Sequence, residues 1–204
     1  DTYDPEGRVV EEKTVPELKR DRVEAVLERF VGEIEQVPPA FSAVRVEGTR
    51  AYKLARKGLD VRMESRKVVI HAIDLLSVDS PRLSLDVRCS SGTYVRSLAR
   101  DLGRALDTVG HLAGLRRTAS GSFRVEEALD SGLLYGEEGR KKLGEHLIPL
   151  PRALPDMASI RVERPMAARI RNGYHPARAE ILPARTDTDA TGRHVQLLCD
   201  GELV

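Results

Sequence analysis

A chain of 204 residues holds one large domain or two small ones. With 41% hydrophobic and 32% charged residues it has the balance of a folded chain, and intrinsic disorder is excluded. No run of about eighteen apolar residues occurs and no basic-then-apolar start is visible, so neither a membrane span nor a secretory signal is expected, and the cytoplasm is the expected compartment. Cys89 and Cys199 lie too far apart for a disulfide framework or a cysteine-rich metal site.

The net charge of +1 conceals strong segregation. Residues 1–37 carry six basic and eleven acidic side chains, residues 38–71 eight and three, residues 96–124 six and two, and residues 161–194 seven and four. Of the 33 basic residues 26 are Arg, the side chain that binds phosphate as a bidentate fork and stacks on bases. An arginine-rich codon bias gives the same composition, so charge alone leaves nucleic-acid binding open.

In chain order, DTYDPEGRVV reads as a loop leading into a strand, with Asp4-Pro5 and Glu6-Gly7 as turn chemistry. Residues 20–31 form an amphipathic helix pattern on Val23, Val26, Leu27 and Phe30, with Asp21 and Glu24 as a capping box and Gly32 past its end. Val37-Pro38-Pro39 forces an extended turn. Residues 40–62 are poor in bulky apolar side chains and rich in Arg and Lys, an excursion from the core with a short helix over 50–57 ended by Gly58. Strands are expected at 67–78 and 83–89, the second alternating Leu83, Leu85, Val87 and Cys89 with polar residues, and Pro81 marks the turn between them. A helix runs from about Ser90 to Leu106, with Val95, Leu98, Ala99 and Leu102 as its core stripe and Arg96, Arg100 and Arg104 on another face. A short strand is expected within 114–125 and short helices within 126–148. A second unit starts near Pro151, with a helix at 166–172 and strands at 179–182 and 194–199.

The five histidines are scattered without metal-site spacing, and no P-loop, dinucleotide fingerprint or nucleophile elbow occurs. Three groupings carry chemistry. In CSSGTYVRSLARDLG, Tyr94 and Arg96 stand where a strand turns into a helix, a place that favours anions. This is either a site holding an aromatic base beside a fixed cation or an ordinary strand–helix turn with Arg96 solvated. Around Pro38-Pro39, the residues Phe41, Ser42, Tyr52, Arg56 and Lys57 interleave aromatic and basic groups, which suits an RNA backbone or a plain surface loop. Leu115-Arg116-Arg117 lines a phosphate channel or flanks a strand.

The runs EIEQVPPAFSAVRVEGTRAYKLARKG, CSSGTYVRSLARDLGRAL and HLAGLRRTASGSF, in this order and preceded by DTYDPEGRVV, resemble the TruB-type tRNA pseudouridine synthases of bacteria over residues 1–150. The resemblance implies an α+β fold, a mixed and mostly antiparallel sheet flanked by helices, with a small β-rich PUA-like domain at the C-terminus. It implies residues 1–152 as part of the catalytic domain, 38–62 as an RNA-binding thumb, and 153–204 as the PUA-like unit. It further implies isomerisation of uridine-55 in the T arm of tRNA after base flipping, by a monomer, with no cofactor and no metal. Tyr94 then belongs to the uracil pocket, Arg96 pairs with the catalytic carboxylate and keeps it ionised, and Leu115 is an apolar pocket wall. Phe41, Ser42, Tyr52, Arg56, Lys57, Arg116 and Arg117 face RNA.

The family's nucleophilic Asp stands in a G-x-x-D-x-x-A-T-G motif upstream of these segments, as does a Tyr that stacks on the uracil. Asp187 to Gly192 fit D-x-x-A-T-G but lack the leading Gly and come after the GTYVR motif, so they are not expected to supply the nucleophile. The expectation is an upstream nucleophile and an inactive 204-residue piece. A non-catalytic RNA-binding or RNA-folding module is the alternative, and a protein-interaction domain built on the acidic segment 1–37 is a third reading.

Overall fold

The computed structural model describes residues 1–134, 136–181 and 194–204. The chain divides into two compact units, Asp1–Leu115 and Arg116–Val204. This division falls well before the boundary expected at 152/153.

In the first unit, α1 (Arg20–Glu28) buries Val23, Val26 and Leu27, the three positions that helical spacing puts on one face. The capping box does not form: the N-cap is Lys19, without a side-chain cap, and Glu24 instead accepts a 2.9 Å bond from Arg20 Nη1. The helix stops short of the expected residue 31, because Gly32, at φ 103°, opens a strand, β1 (Gly32–Gln36). That strand is not expected from the sequence, since Ile34 is its only bulky apolar residue.

Strands β4 (Arg66–Asp79) and β5 (Arg82–Cys89) form the expected antiparallel pair, and β1 pairs with the other edge of β4, giving the order β1-β4-β5. Helix α3 (Val95–Ala105) comes next. Its Leu98 and Leu102, together with Leu106, pack against Val23, Val26 and Leu27 of α1, with Ile73, Leu75, Leu83, Leu85 and Val87 of the sheet alongside. Each such leucine contributes about 2 kcal/mol by leaving water. Gly103 lets the chain at Val109-Gly110 lie directly on the helix, where a Cβ would overlap the Gly110 nitrogen.

Between β1 and β4 the chain makes its excursion: β2 (Arg45–Val46) and β3 (Thr49–Arg50) form a hairpin, and α2 (Ala51–Ala55) comes directly after it. The short helix and the poverty of burial are as expected, with Gly58 at φ 74° just beyond it. The strand expected after DTYDPEG does not form: Val9 and Val10 are 75% and 74% exposed and join no ladder.

In the second unit, β6 (Ala119–Ser120) and β7 (Phe123–Arg124) make a small hairpin around Gly121. Single 3-10 turns at Val125–Glu127 and Ser131–Leu134 lead to α4 (Glu137–Glu145) and α5 (Leu150–Ala153). A three-stranded sheet then forms from β8 (Ser159–Arg161), β9 (Gln196–Cys199) and β10 (Glu202–Leu203), with β8 parallel to β9 and β10 antiparallel to it. Helix α6 (Arg164–Arg171) buries Ala167. The strand expected over 179–182 is instead helical at α7 (Arg178–Ile181), where Glu180 caps the turn by accepting the Ala177 N–H at 2.7 Å. Leu182 and the motif at 187–192 lie outside the described residues. The whole is a mixed α+β fold whose sheets are mostly antiparallel, as expected.

Candidate functional site

Three stretches distant in sequence meet at the N-terminal turn of α3. Tyr94 is the N-cap residue, in extended backbone, and its N–H donates a 2.7 Å bond to Oε1 of Gln36, the last residue of β1. Gln36 is 2% exposed, so this bond fixes the start of the helix against the sheet from within. The Ser97 hydroxyl donates to the Val37 carbonyl at 2.8 Å, which ties the Pro-rich strap after β1 to the same turn.

Arg96 is not a solvated helix arginine. Its side chain is 26% exposed and its head group meets three acceptors: Nη1 donates to Asp4 Oδ2 at 2.9 Å and to the Thr2 carbonyl at 3.2 Å, and Nη2 to the Phe41 carbonyl at 3.0 Å. These contacts make the Arg96 guanidinium a fixed cation at the GTYVR turn. Asp4 is fixed in turn, its Oδ1 accepting from the Thr2 hydroxyl at 2.6 Å and from the Glu6 N–H at 3.2 Å. The Thr2 hydroxyl does most to hold the Asp4 carboxyl below its ordinary range; the Glu6 N–H and Arg96 add to it, and partial burial works the other way. The turn is closed by Gly7, where a Cβ would overlap the Thr2 hydroxyl. Tyr3 at its centre has φ 63°, a left-handed conformation that costs a residue with a bulky side chain on the order of 1–3 kcal/mol.

One helical turn further along α3, Arg100 is 8% exposed. It grips Asp101 through Nε at 2.7 Å and Nη2 at 2.9 Å, and its guanidinium carbon lies 4.9 Å from the centre of the Tyr3 ring. The sequence pattern puts it with Arg104 on a face apart from the core stripe, and of the two only Arg104 is exposed.

The excursion leaves this site from Phe41. Ser42 is buried and its carbonyl accepts the Tyr52 N–H at 3.1 Å, while the Val44 carbonyl accepts the Ala51 N–H at 2.7 Å; these bonds root the hairpin and α2. Beyond that root Arg56 and Lys57 are solvent-facing, and Arg56 lies over the Tyr52 ring at 5.3 Å. Leu115, at the end of the first unit, is 65% exposed. Arg116 and Arg117 open the second unit, and both are exposed.

The structure therefore joins Arg96, the Tyr94 backbone and the Phe41 backbone in one hydrogen-bonded knot, and leaves Tyr52, Arg56, Lys57, Leu115, Arg116 and Arg117 outside it. Asp4, Thr2 and Gln36 belong to the knot and are not among the expected site residues. The turn chemistry of Asp4-Pro5 is visible in the sequence, but nothing local signals that Asp4 meets an arginine 92 positions on. Among the described residues no group of three His, Cys, Asp or Glu side chains stands close enough to hold a metal ion, and no helix is long and apolar enough to cross a membrane.

Residues 1–95 match the family model described as TruB family pseudouridylate synthase (N terminal domain), and residues 96–155 match that of the tRNA pseudouridylate synthase B C-terminal domain. The tRNA pseudouridine synthase B of Solibacter usitatus is 39% identical over 207 residues, covering all of this chain and 70% of the relative. Those of Rhodospirillum rubrum and Caulobacter sp. strain K31 are 40% and 37% identical, covering 100% and 98% of this chain and 67% of each relative. This chain thus spans about two thirds of their length. Among solved structures, a chain of a Cbf5-Nop10-Gar1 complex aligns with TM-score 0.58 at 24% identity, over 78% of this chain and 46% of that one. A chain of an H/ACA RNP bound to a substrate RNA containing 2'-deoxyuridine aligns with TM-score 0.60 at 20% identity, over 93% and 54%. These two likenesses concern the fold. Family models covering residues 1–155 and whole-chain identities near 40% agree with the arginine-centred knot at GTYVR: the chain belongs to the TruB family of pseudouridylate synthases.

Proposed function

We propose that these residues form the arginine-bearing and RNA-binding part of a cytoplasmic, monomeric enzyme that isomerises uridine-55 in the T arm of tRNA to pseudouridine. The observation that carries the reading is the Arg96 head group, held by Asp4, Thr2 and Phe41 at the helix turn of a TruB-family chain.

In this reaction the bond from the ribose C1′ to uracil N1 breaks, the uracil turns, and a bond from C1′ to C5 forms. C5 gives up its proton and N1 gains one, so no oxidant, metal or cofactor is called for. An aspartate nucleophile starts the sequence, at the base or at the sugar. The G-x-x-D-x-x-A-T-G motif does not occur in these 204 residues, and in this proposal it lies upstream, which leaves the 204 residues alone inactive. Arg96 fits the task of pairing with that carboxylate: a guanidinium held by three oxygens needs little reorganisation when charge moves beside it. Tyr94, partly exposed, and Leu115, largely exposed, serve as pocket walls. Phe41, Ser42, Tyr52, Arg56 and Lys57, with Arg116 and Arg117, serve the tRNA, and the exposed cations supply phosphate contacts.

The test uses the full-length protein and a tRNA transcript carrying tritium at C5 of its uridines. One equivalent of tritium should be released per tRNA, and none from a transcript with cytidine at position 55. Arg96→Ala should abolish release while tRNA binding largely survives. Binding without any release by the wild-type protein would overturn the enzymatic reading in favour of an RNA-binding module.

A further inference from the structure

We propose that Tyr3 and Arg100 are positioning residues for Arg96: their stacked ring and guanidinium hold the Thr2–Asp4 turn, and through it the Arg96 head group, in place. The inference rests on the reading of Arg96 as the arginine of a uridine-isomerising site.

Two acceptors on Arg96 Nη1, the Thr2 carbonyl and the Asp4 carboxylate, flank Tyr3 directly. Tyr3 is left-handed at φ 63°, so the turn that presents both acceptors needs outside support to keep its shape. Two contacts supply it. The Tyr3 carbonyl accepts the Leu112 N–H at 2.9 Å, and the Tyr3 ring lies against Arg100. If the ring contact is lost, the residue is free to relax toward ordinary extended backbone, and both acceptors move away from Arg96 together.

Arg100 is suited to this task and poorly suited to plain packing. It is nearly inaccessible, and its charge is met by Asp101 in a bidentate pair and by the Val37 carbonyl at 3.3 Å. A buried ion pair adds little stability over an apolar side chain of similar size, so packing alone does not account for an arginine here. Arg96 and Arg100 are one helical turn apart and grip neighbouring parts of the same two straps. Arg96 takes Thr2, Asp4 and Phe41; Arg100 takes Tyr3 and Val37. The guanidinium of Arg100 is fixed by Asp101, and so it acts as a rigid shelf under the ring.

The test uses the full-length protein, single-turnover tritium release at saturating enzyme, tRNA affinity and the unfolding midpoint. Tyr3→Leu should slow the single-turnover step by about 5- to 30-fold, the range of a desolvated cation–π contact, with tRNA affinity within about twofold. Tyr3→Phe, which keeps the ring face, should restore the rate to within about twofold of wild type. Arg100→Lys, which keeps the charge but not the planar shelf, should slow the step as Tyr3→Leu does, and serves if Tyr3→Leu does not fold. In an Asp4→Asn background Tyr3→Leu should cost clearly less than in the wild-type background, because of the two links it acts through only the Thr2 carbonyl remains. A wild-type rate in Tyr3→Leu, an equal loss of rate and affinity, or full additivity with Asp4→Asn would overturn the proposal. The Arg96 Nε–H signal in a 15N spectrum reads the clamp without turnover: Tyr3→Leu should shift it and speed its exchange, and an unchanged signal would refute the clamp. No tritium release by wild type, with the signal shifting as expected, would sink the proposed reaction and leave the clamp standing.

Discussion

Replacing Asp4 by Asn changes the knot at one atom. Asn keeps an oxygen for the Thr2 hydroxyl and the Glu6 N–H, which reach Oδ1 at 2.6 and 3.2 Å. Where Oδ2 accepted from Arg96 Nη1 at 2.9 Å, an amide NH2 now faces a guanidinium, donor against donor. One charge-assisted bond in a partly buried place is lost, worth about 2 kcal/mol. The Phe41 and Thr2 carbonyls still hold Arg96, so the head group is loosened rather than freed. If that loosening falls wholly on the transition state, the single-turnover rate drops about 30-fold. Affinity for tRNA should stay within about threefold, because Asp4 is directed at Arg96 and not at an exposed basic surface. The assay is tritium release from C5-labelled tRNA at saturating full-length enzyme, with filter binding alongside, and Glu6→Gln as a control that removes a neighbouring charge but no side-chain contact to the knot. An Asp4→Asn enzyme as fast as wild type, or one whose whole defect is in affinity, would refute the assignment of Asp4 as the residue that sets Arg96.

Acid should undo the same ion pair: the Asp4 carboxyl is lowered in the folded state, so its contribution is complete above the ordinary carboxylate range and lost as pH falls through its depressed pKa. Unfolding of wild type and Asp4→Asn followed against pH should therefore converge at the acid end and diverge above about pH 4. Gly103→Ala places a methyl 2.7 Å from the Val109 carbonyl carbon and onto Gly110, and should lower stability by about 1–3 kcal/mol in urea unfolding. Arg56→Ala and Lys57→Ala should each weaken tRNA binding and flatten its dependence on log salt by about one unit, leaving the single-turnover rate at saturation near wild type.

Much of the frame is readable from residues alone. Strand β5 announces itself by alternation after a proline turn that sets it apart from β4, and α3 by its apolar stripe, because burial on one face imposes a period. Strand β1 has a single bulky apolar residue, Ile34, and exists because β4 offers an edge; no local pattern encodes that. The capping box at Asp21 and Glu24 does not close because Arg20 captures Glu24 and itself reaches the Leu75 carbonyl. Where a strand is expected from 179 onward, residues 179–181 are helical because Glu180 satisfies the Ala177 N–H. At the candidate site, Tyr94 and Arg96 are legible through a motif. Gln36 and Asp4 are not, since they meet their partners across 58 and 92 positions. The pairing of Tyr3 with Arg100 is just as remote in sequence. The surroundings of Arg100 are not legible, because a four-residue spacing of arginines looks alike whether the face meets water or a tyrosine.

Gln36 and Arg66 are register partners across the β1–β4 ladder, so the intervening residues leave the sheet and re-enter it at adjacent points. Such an excursion is a graft on a hairpin end. Its length is free to drift, since each doubling of a loop costs only about 0.6 kcal/mol of closure. The graft has a fixed stump, though: Val37 and Phe41 lend their carbonyls to Ser97, Arg100 and Arg96, and only the residues beyond Ser42 are detachable. Swapping residues 43–62 between relatives while keeping 36–42 would exchange the outer lobe and leave the arginine knot untouched. The chain thereby keeps apart two things that selection can tune separately, the outer lobe proposed to hold RNA and the arginine knot at its root.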